Sequence, residues 1–468
     1  THIIMLRHIR KTALKTVSTS IVVVAGVELA TKLPSEGRSS ELYHHFTDKV
    51  VTPLMRSLLN PENAHHVALY FLQRGFAPTH RPNILESSSN INLSVLTKDR
   101  LLFPNCIGLA AGFDKDGVAI ENLMALGFGF VEIGSITPKP QPGNSKPRMF
   151  RLIEDQGIIN RFGFNSIGID AVEENLKAFR HRQQTEEEGQ KNLPGKRSNS
   201  LASRDVFDSF SKITVSIMKS VLRFFFPPFP KQPKSLLGIN LGKNKTSTKE
   251  TEDYEIGIER LGQYADYLVI NISSPNTPGL RNLQQSEPIR RLLKAAMRKR
   301  NELPFNENHS KPPLFVKIAP DLSDSELEDI SNAVIECDID GILVSNTSNQ
   351  RPESLESRNS DEIGGLSGSP IRHLSTECIR KMYKLTGGNV FIVGIGGVGS
   401  GHDVYEKMKA GASVVQIYSQ MTYQGPGLVS RIRKELSEIM RQNGQHDVTD
   451  VIGLDHDEIF WEKKLKRA

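Results

Sequence analysis

The residues of this 468-residue chain that can do chemistry stand at the ends of short apolar runs. Lys317 interrupts Leu314-Phe315-Val316-Lys317-Ile318-Ala319-Pro320. A charge there needs compensation, either from an internal ion pair or from an electron-rich ring whose anionic form it stabilises. Asn160, Asn240, Asn271 and Asn346 supply uncharged donors and acceptors that can read a planar polar ring. Glycines gather in Gly364-Gly365-Leu366-Ser367-Gly368 and Gly396-Gly397-Val398-Gly399, ahead of Tyr418-Ser419. Bare backbone amides at helix starts in such segments can cradle a phosphate. Any one glycine pair is ordinary turn chemistry, but together they favour a phosphorylated cofactor or substrate. Cys106, Cys337 and Cys378 are the three cysteines and have no paired or metal-like spacing. No metal centre is expected, and the count suits a reducing compartment.

These groups must be positioned by regular elements. Apolar runs fall at Ile107–Gly112, Phe128–Ser135, Leu236–Gly242, Tyr267–Ser273, Leu314–Pro320, Gly341–Thr347, Val390–Gly397 and Val414–Ser419. Most are separated by amphipathic helical stretches such as Ser323–Glu336, Ile371–Tyr383 and His402–Lys409. Eight runs alternating with helices predict an α/β fold, a (β/α)8 TIM barrel, with a doubly wound open sheet as the rival. Nearly every run ends in polar or glycine residues, and barrels place chemistry at the carboxyl ends of their strands.

Charge divides the rest of the chain. The formal balance is 59 − 53 = +6. Residues 1–40 hold six basic and two acidic side chains (+4) and residues 181–234 hold ten and five (+5), which leaves −3 for the body. That body gives no basis for nucleic-acid binding. The acid-free run with Arg7, Arg10, Lys11 and Lys15 predicts a mitochondrial targeting segment. Ile21–Val27 within 17–33 predicts a short single membrane span or an interfacial anchor, a single anchor within residues 1–40. Residues 41–78 predict a small helical domain, two amphipathic helices around Asn60-Pro61-Glu62, packed on a core or facing a membrane. Residues 79–445 form the barrel domain. Within it, 181–234 reads as a polar loop and then an amphipathic stretch from Phe207 to Phe226, a tolerated surface insertion or a second membrane contact. The tail 446–468, with Trp461, has no assigned role.

Asn271-Ile-Ser-Ser-Pro-Asn-Thr-Pro-Gly-Leu-Arg281 resembles the dihydroorotate dehydrogenases, specifically their membrane-associated, quinone-using class 2. So do Leu109-Ala-Ala-Gly-Phe-Asp-Lys115, Gly129–Ser135, Asn160-Arg-Phe-Gly-Phe-Asn165, Gly238–Asn244, Val316–Asp321 and Gly364–Gly368, in order from about residue 41 to about 440. The resemblance implies FMN at the barrel mouth, touched by Ala110, Ala111, Gly112, Ser135, Asn160, Asn240, Asn271, Lys317 and Ser345. Its phosphate would lie on Gly368, Gly396, Gly397, Tyr418 and Ser419. Dihydroorotate would be held by Lys115, Asn160, Arg161, Phe162, Gly163, Phe164, Asn271, Asn276, Asn346 and Thr347 and leave as orotate.

The resemblance also implies Ser274 as the catalytic base toward C5 while C6 delivers hydride to the flavin. A free serine is a poor base and must pass its proton on; Thr347 is the expected helper. Without the resemblance, Ser274 reads as a turn serine before Pro275. Soluble class 1 relatives carry cysteine at this place, and the three cysteines here lie elsewhere. The helical pair would open an apolar tunnel for ubiquinone from the bilayer, with His65, Arg151 and Tyr418 at its inner end. Arg56 departs from the neutral glutamine of some relatives. The expected setting is mitochondrial inner-membrane lipid, with the protein a monomer. Competing readings are a fumarate- or NAD-linked relative and a catalytically inactive membrane scaffold.

Overall fold

The computed structural model describes residues 45, 47–75, 91–98, 100–192, 234–249, 251–277, 279–305 and 310–456, the side chains of 186–192 excepted. The targeting segment and anchor expected in residues 1–40, the amphipathic stretch from Phe207 to Phe226 and Trp461 lie outside the described residues.

All eight predicted runs become parallel strands of one closed barrel. With strands numbered along the chain, they are β3 (Ile107–Leu109), β4 (Phe130–Ile136), β7 (Leu236–Leu241), β8 (Tyr267–Asn271), β9 (Leu314–Ile318), β10 (Gly341–Val344), β12 (Phe391–Ile395) and β13 (Val414–Ile417). They pair in that order, and β13 closes on β3 through Val415↔Ile107 and Ile417↔Leu109. Residues in these strands are buried almost without exception, because helices cover the outer face and side chains fill the inside. The covering helices follow their sequence signals. Ser323 forms a capping box with Glu326 ahead of Asp324–Glu336, and Leu428, Val429, Ile432, Leu436 and Met440 make the buried stripe of Leu428–Gln442.

An aromatic plug fills the amino-terminal end of the barrel. Phe130, Tyr267 and Phe391 begin their strands and Phe315 is second in its own. Phe103, from the hairpin β1 (Val95–Leu96) and β2 (Leu102–Phe103), lies 4.9 Å from Phe130 and 5.2 Å from Phe391, centroid to centroid. Tyr267 and Phe315 are 5.3 Å apart. Gly238 has no side chain because a Cβ there would stand 2.1 Å from the Tyr267 ring.

Three features differ from the sequence expectation. Gly365–Gly368 is not a helix start but strand β11, antiparallel to β6 (Gly157–Asn160), which pairs in turn with β5 (Met149–Leu152). This small sheet, over its own core of Leu152, Ile159, Leu366 and Ile371, forms a flap beside the barrel mouth. The helix Ile169–Asn192 runs on into the stretch read as a polar loop. Part of the tail is structured: Asn92 N–H donates to His446 O (2.7 Å), and Val448 and Val451 are buried. The helical pair appears as Thr52–Leu58 and Pro61–Gln73, the second capped by Asn60, whose side chain accepts from Asn63 N–H. No helix among the described residues is long and apolar enough to cross a membrane.

Candidate active site

Polar residues gather at the carboxyl ends of the strands. Asn240, Asn271 and Lys317 lie at or next to the ends of β7, β8 and β9, and Ser345 and Asn346 follow β10. The Asn240 amide donates to buried Glu132 at 2.8 Å, and its oxygen accepts from Asn271 Nδ2 at 3.2 Å and from the Ser135 hydroxyl. Asn271 also donates to Ser135 Oγ at 2.8 Å, and its own oxygen accepts from Asn346 Nδ2 at 3.3 Å. Asn346 in turn accepts from Thr347 N–H at 2.8 Å. An unbroken polar lattice therefore crosses the barrel mouth.

Lys317 has 5% of its surface exposed. Its Nζ has no hydrogen-bond partner among the described residues, and it lines a cavity with Ala110, Ala111, Ser345, Gly368, Gly396, Gly397, Tyr418 and Ser419. Burial pushes its pKa down and the charge of Glu132 opposes the fall. Beneath the cavity Glu132 also accepts from Gln416 Nε2 (2.7 Å) and the Tyr267 hydroxyl (3.3 Å). In the turn after β12, Gly396 and Gly397 have φ of 123° and 70°, and neither N–H has a hydrogen-bond partner among the described residues. Gly112, with φ 100°, leads from the Ala110–Ala111 wall toward the next group.

That group stands beneath the flap. Lys115 Nζ bonds to Asn165 Oδ1 and lies 3.8 Å from the Phe162 ring centroid. Burial first, then the charge of Arg148, pushes Lys115 down to about 7. Asn276 donates to Asn160 O at 3.1 Å, which links the Ser274 loop to the loop Asn160–Asn165. That loop turns through Gly163 (φ 69°) and Phe164 (φ 53°), and Phe164 packs beside Gly242. Arg161 turns elsewhere, to Glu362 Oε2 (2.7 Å), Ile363 O (3.1 Å) and Pro147 O (3.1 Å), so its guanidinium braces the flap.

Ser274 is buried, and its Oγ accepts from Asn276 N–H at 3.3 Å. No hydrogen bond joins Ser274 to Thr347 among the described residues. Two residues left unassigned in the sequence stand out here. Arg281 ties the loops together, donating to Ser273 O (3.2 Å) and Thr347 O (2.9 Å) while paired with Asp321 at 3.1 Å. Thr277, in the Ser274 loop, keeps a buried hydroxyl with no partner. Glu132 was legible by the signal used for Lys317, a charge inside an apolar run.

A column of rings joins this site to the helical pair. His65, on Pro61–Gln73, meets Phe113 edge-on at 5.1 Å, and Phe113 meets Tyr418 edge-on at 5.9 Å. Burial, with Lys115 adding to it, pushes His65 down to about 4, so the imidazole is neutral near pH 7. Arg151 Nη1 donates to Arg56 O and Leu59 O, both at 2.9 Å, while its Nε and Nη2 are buried without a partner. Arg56 is held by Tyr423 O at 2.6 Å. Leu58 and Tyr70 on the pair, and Val50 just before it, are exposed.

Residues 96–440 match the family model described as dihydroorotate dehydrogenase. The chain belongs to the dihydroorotate dehydrogenase family. It is 42% identical over 412 residues to the mitochondrial dihydroorotate dehydrogenase (quinone) of Mus musculus, covering 88% of this chain and 91% of that one. It is 41% identical to the dihydroorotate dehydrogenase (quinone) of Azorhizobium caulinodans, over 86% of this chain and 98% of the bacterial one. The crystal structure of DHODH from Eimeria tenella in complex with ferulenol superposes with a TM-score of 0.71 at 41% identity, covering 85% of this chain and 96% of that one. Dihydroorotate dehydrogenases are flavoenzymes, and in this chain Lys317, Gly396 and Gly397 line one cavity at the barrel mouth.

Proposed function

We propose that this chain oxidises dihydroorotate to orotate, with FMN as the hydride acceptor and ubiquinone as the final electron acceptor. One observation carries the reading. A single barrel mouth brings together an orphaned buried lysine, free amides on a glycine turn, and a buried serine beside anion-binding and amide-bearing side chains.

The residues present fit FMN. Gly396 and Gly397 offer unused N–H groups to a phosphate, and Lys317 offers an unpaired ammonium to the electron-rich ring. When bound, FMN supplies hydride acceptance from the substrate and onward electron delivery to the quinone. The chain's own residues do the rest. Lys115 holds the substrate carboxylate by a charge-assisted bond. Asn160, Asn271, Asn276 and Asn346 orient the pyrimidine ring through the lattice that fixes their amides. Ser274 Oγ takes the C5 proton and must pass it on. Thr347 is the expected helper; the free hydroxyl of Thr277, in the same loop, is a second. The flap and the buried lattice exclude water from the reacting face.

The quinone side rests on the ring column and on Arg151, whose two unused donors suit a quinone carbonyl. The exposed apolar residues of the helical pair suit an inner mitochondrial membrane surface, with residues 1–40 as address and anchor and a monomeric protein. The acceptor is tested by adding quinone, fumarate and NAD separately to protein reduced anaerobically with dihydroorotate. Rapid reoxidation by the quinone alone is expected; reoxidation by fumarate or NAD would assign the chain to a soluble type of partner.

A further inference from the structure

Lys407 lies on the helix Gly401–Lys409, outside the cavity, with none of its surface exposed. An ammonium can only donate, and this one donates to Ser375 Oγ at 2.9 Å and to Thr376 Oγ1 at 3.0 Å. Each hydroxyl must then turn its own proton elsewhere. Thr376 donates to Arg372 O at 2.9 Å, and Ser375 donates to Ile395 O. Ile395 is the last residue of β12, immediately before the glycine turn.

The other backbone groups of that turn are also tied from behind. Arg372 donates to Gly397 O at 3.0 Å and pairs at 3.1 Å with Asp403, one turn before Lys407 on the same helix. Asp403 accepts from Gly399 N–H at 2.9 Å, and Arg431 donates to Gly399 O at 2.9 Å. The turn packs so closely on this support that a Cβ on Gly396 would stand 2.9 Å from Ser375 Oγ. Ile395 O also accepts from Ser345 N–H at 3.1 Å; the side-chain ties all come from the rear of the turn and leave the Gly396 and Gly397 amides free.

We propose that Lys407 is a positioning residue for the cofactor phosphate: through Ser375 it fixes the Ile395 carbonyl, so that the next two amides face the phosphate, and it adds a buried positive charge behind them. This rests on the cofactor reading given above. Burial pushes Lys407 down to about 7; Asp403 opposes the fall, Arg372 adds to it and Cys378 opposes it, and these with Ser375 and Thr376 are the groups that face it. The bound phosphate would favour the charged form further.

The test uses full-length protein stripped of flavin and titrated by flavin fluorescence with FMN and, separately, with riboflavin, which lacks the phosphate. Lys407→Met should weaken FMN binding by about tenfold or more and leave riboflavin binding unchanged. Wild-type affinity for FMN should fall as pH rises through the deprotonation of Lys407, and the variant should lack that fall. Ser375→Ala, a smaller change, should weaken FMN in the same selective way, and it serves if Lys407→Met does not fold. Unchanged FMN affinity, or equal losses for FMN and riboflavin, would overturn the proposal. Wild-type protein that binds neither flavin would instead overturn the cofactor reading beneath it.

Discussion

The two ends of the barrel are built from the same eight strands and could hardly differ more. At the amino-terminal end Phe130, Tyr267, Phe315 and Phe391, with Phe103 from the hairpin, pack into an aromatic plug. A few residues along the same strands the interior becomes Glu132, Gln416, Asn240, Asn271 and Lys317, joined by hydrogen bonds except at Lys317. The aromatic end buries large apolar area, and its one polar group, the Tyr267 hydroxyl, is paired with Glu132. The polar end buries groups that are costly unless paired, and the unpaired ones face the cavity. Stability and chemistry are thus separated along the strand axis by as little as two residues, as from Phe130 to Glu132 and from Phe315 to Lys317.

That separation predicts different losses at the two ends. The largest should come from Ser274→Ala at the polar end. Flavin should stay bound while its reduction by dihydroorotate slows by about 10²–10⁴-fold, measured by stopped-flow absorbance; near-normal reduction would remove Ser274 from its role. Phe315→Ala, at the aromatic end, should lower stability by about 3–5 kcal/mol in a denaturant titration, while protein that remains folded reduces its flavin at the normal rate. A catalytic defect without a stability defect would blur the division of labour. A subtler effect concerns pH. Lys115 in the free protein is charged below about 7 and neutral above, and only the charged form binds a carboxylate strongly. Therefore kcat/KM for dihydroorotate should decline as pH rises through that value, and Lys115→Met should be low and flat across it. An unchanged decline in the variant would assign the titration to another group.

Much of this was legible because strands buried on both faces read as continuous apolar runs, and all eight were visible. The helices after Ser323 and Asn60 were legible from amphipathic spacing, and the structure caps each with that residue. The small sheet was hidden, since Met149–Leu152, Gly157–Asn160 and Gly365–Gly368 are four residues each and contain arginine, asparagine or glycine. The first two pair locally as a hairpin, but the third joins them from some two hundred residues away, and no local pattern encodes that. The polar stretch after Arg180 continued as helix because nothing in it breaks one before Pro194, whereas its composition had suggested a loop. In the site, Lys317 and the four asparagines were legible at or near strand ends, whereas the roles expected of Lys115 and Ser274 came from the family resemblance alone. Arg281 and Thr277 carry no such signal, because their importance lies in what surrounds them at the barrel mouth, whereas Glu132 shares the apolar-run signal of Lys317. Arg161 and Arg151 show the converse: the resemblance implied ligand contact, and the structure gives each guanidinium a bracing role, with only Arg151 keeping donors to spare.

The central claim is that the polar end of this barrel holds a flavin that dihydroorotate reduces. Anaerobic titration of the purified protein with dihydroorotate, followed by its visible spectrum, tests this directly. The expected result is full bleaching of the flavin bands at one equivalent of substrate, with orotate formed in equal amount; a flavin spectrum unmoved by excess dihydroorotate would contradict the account.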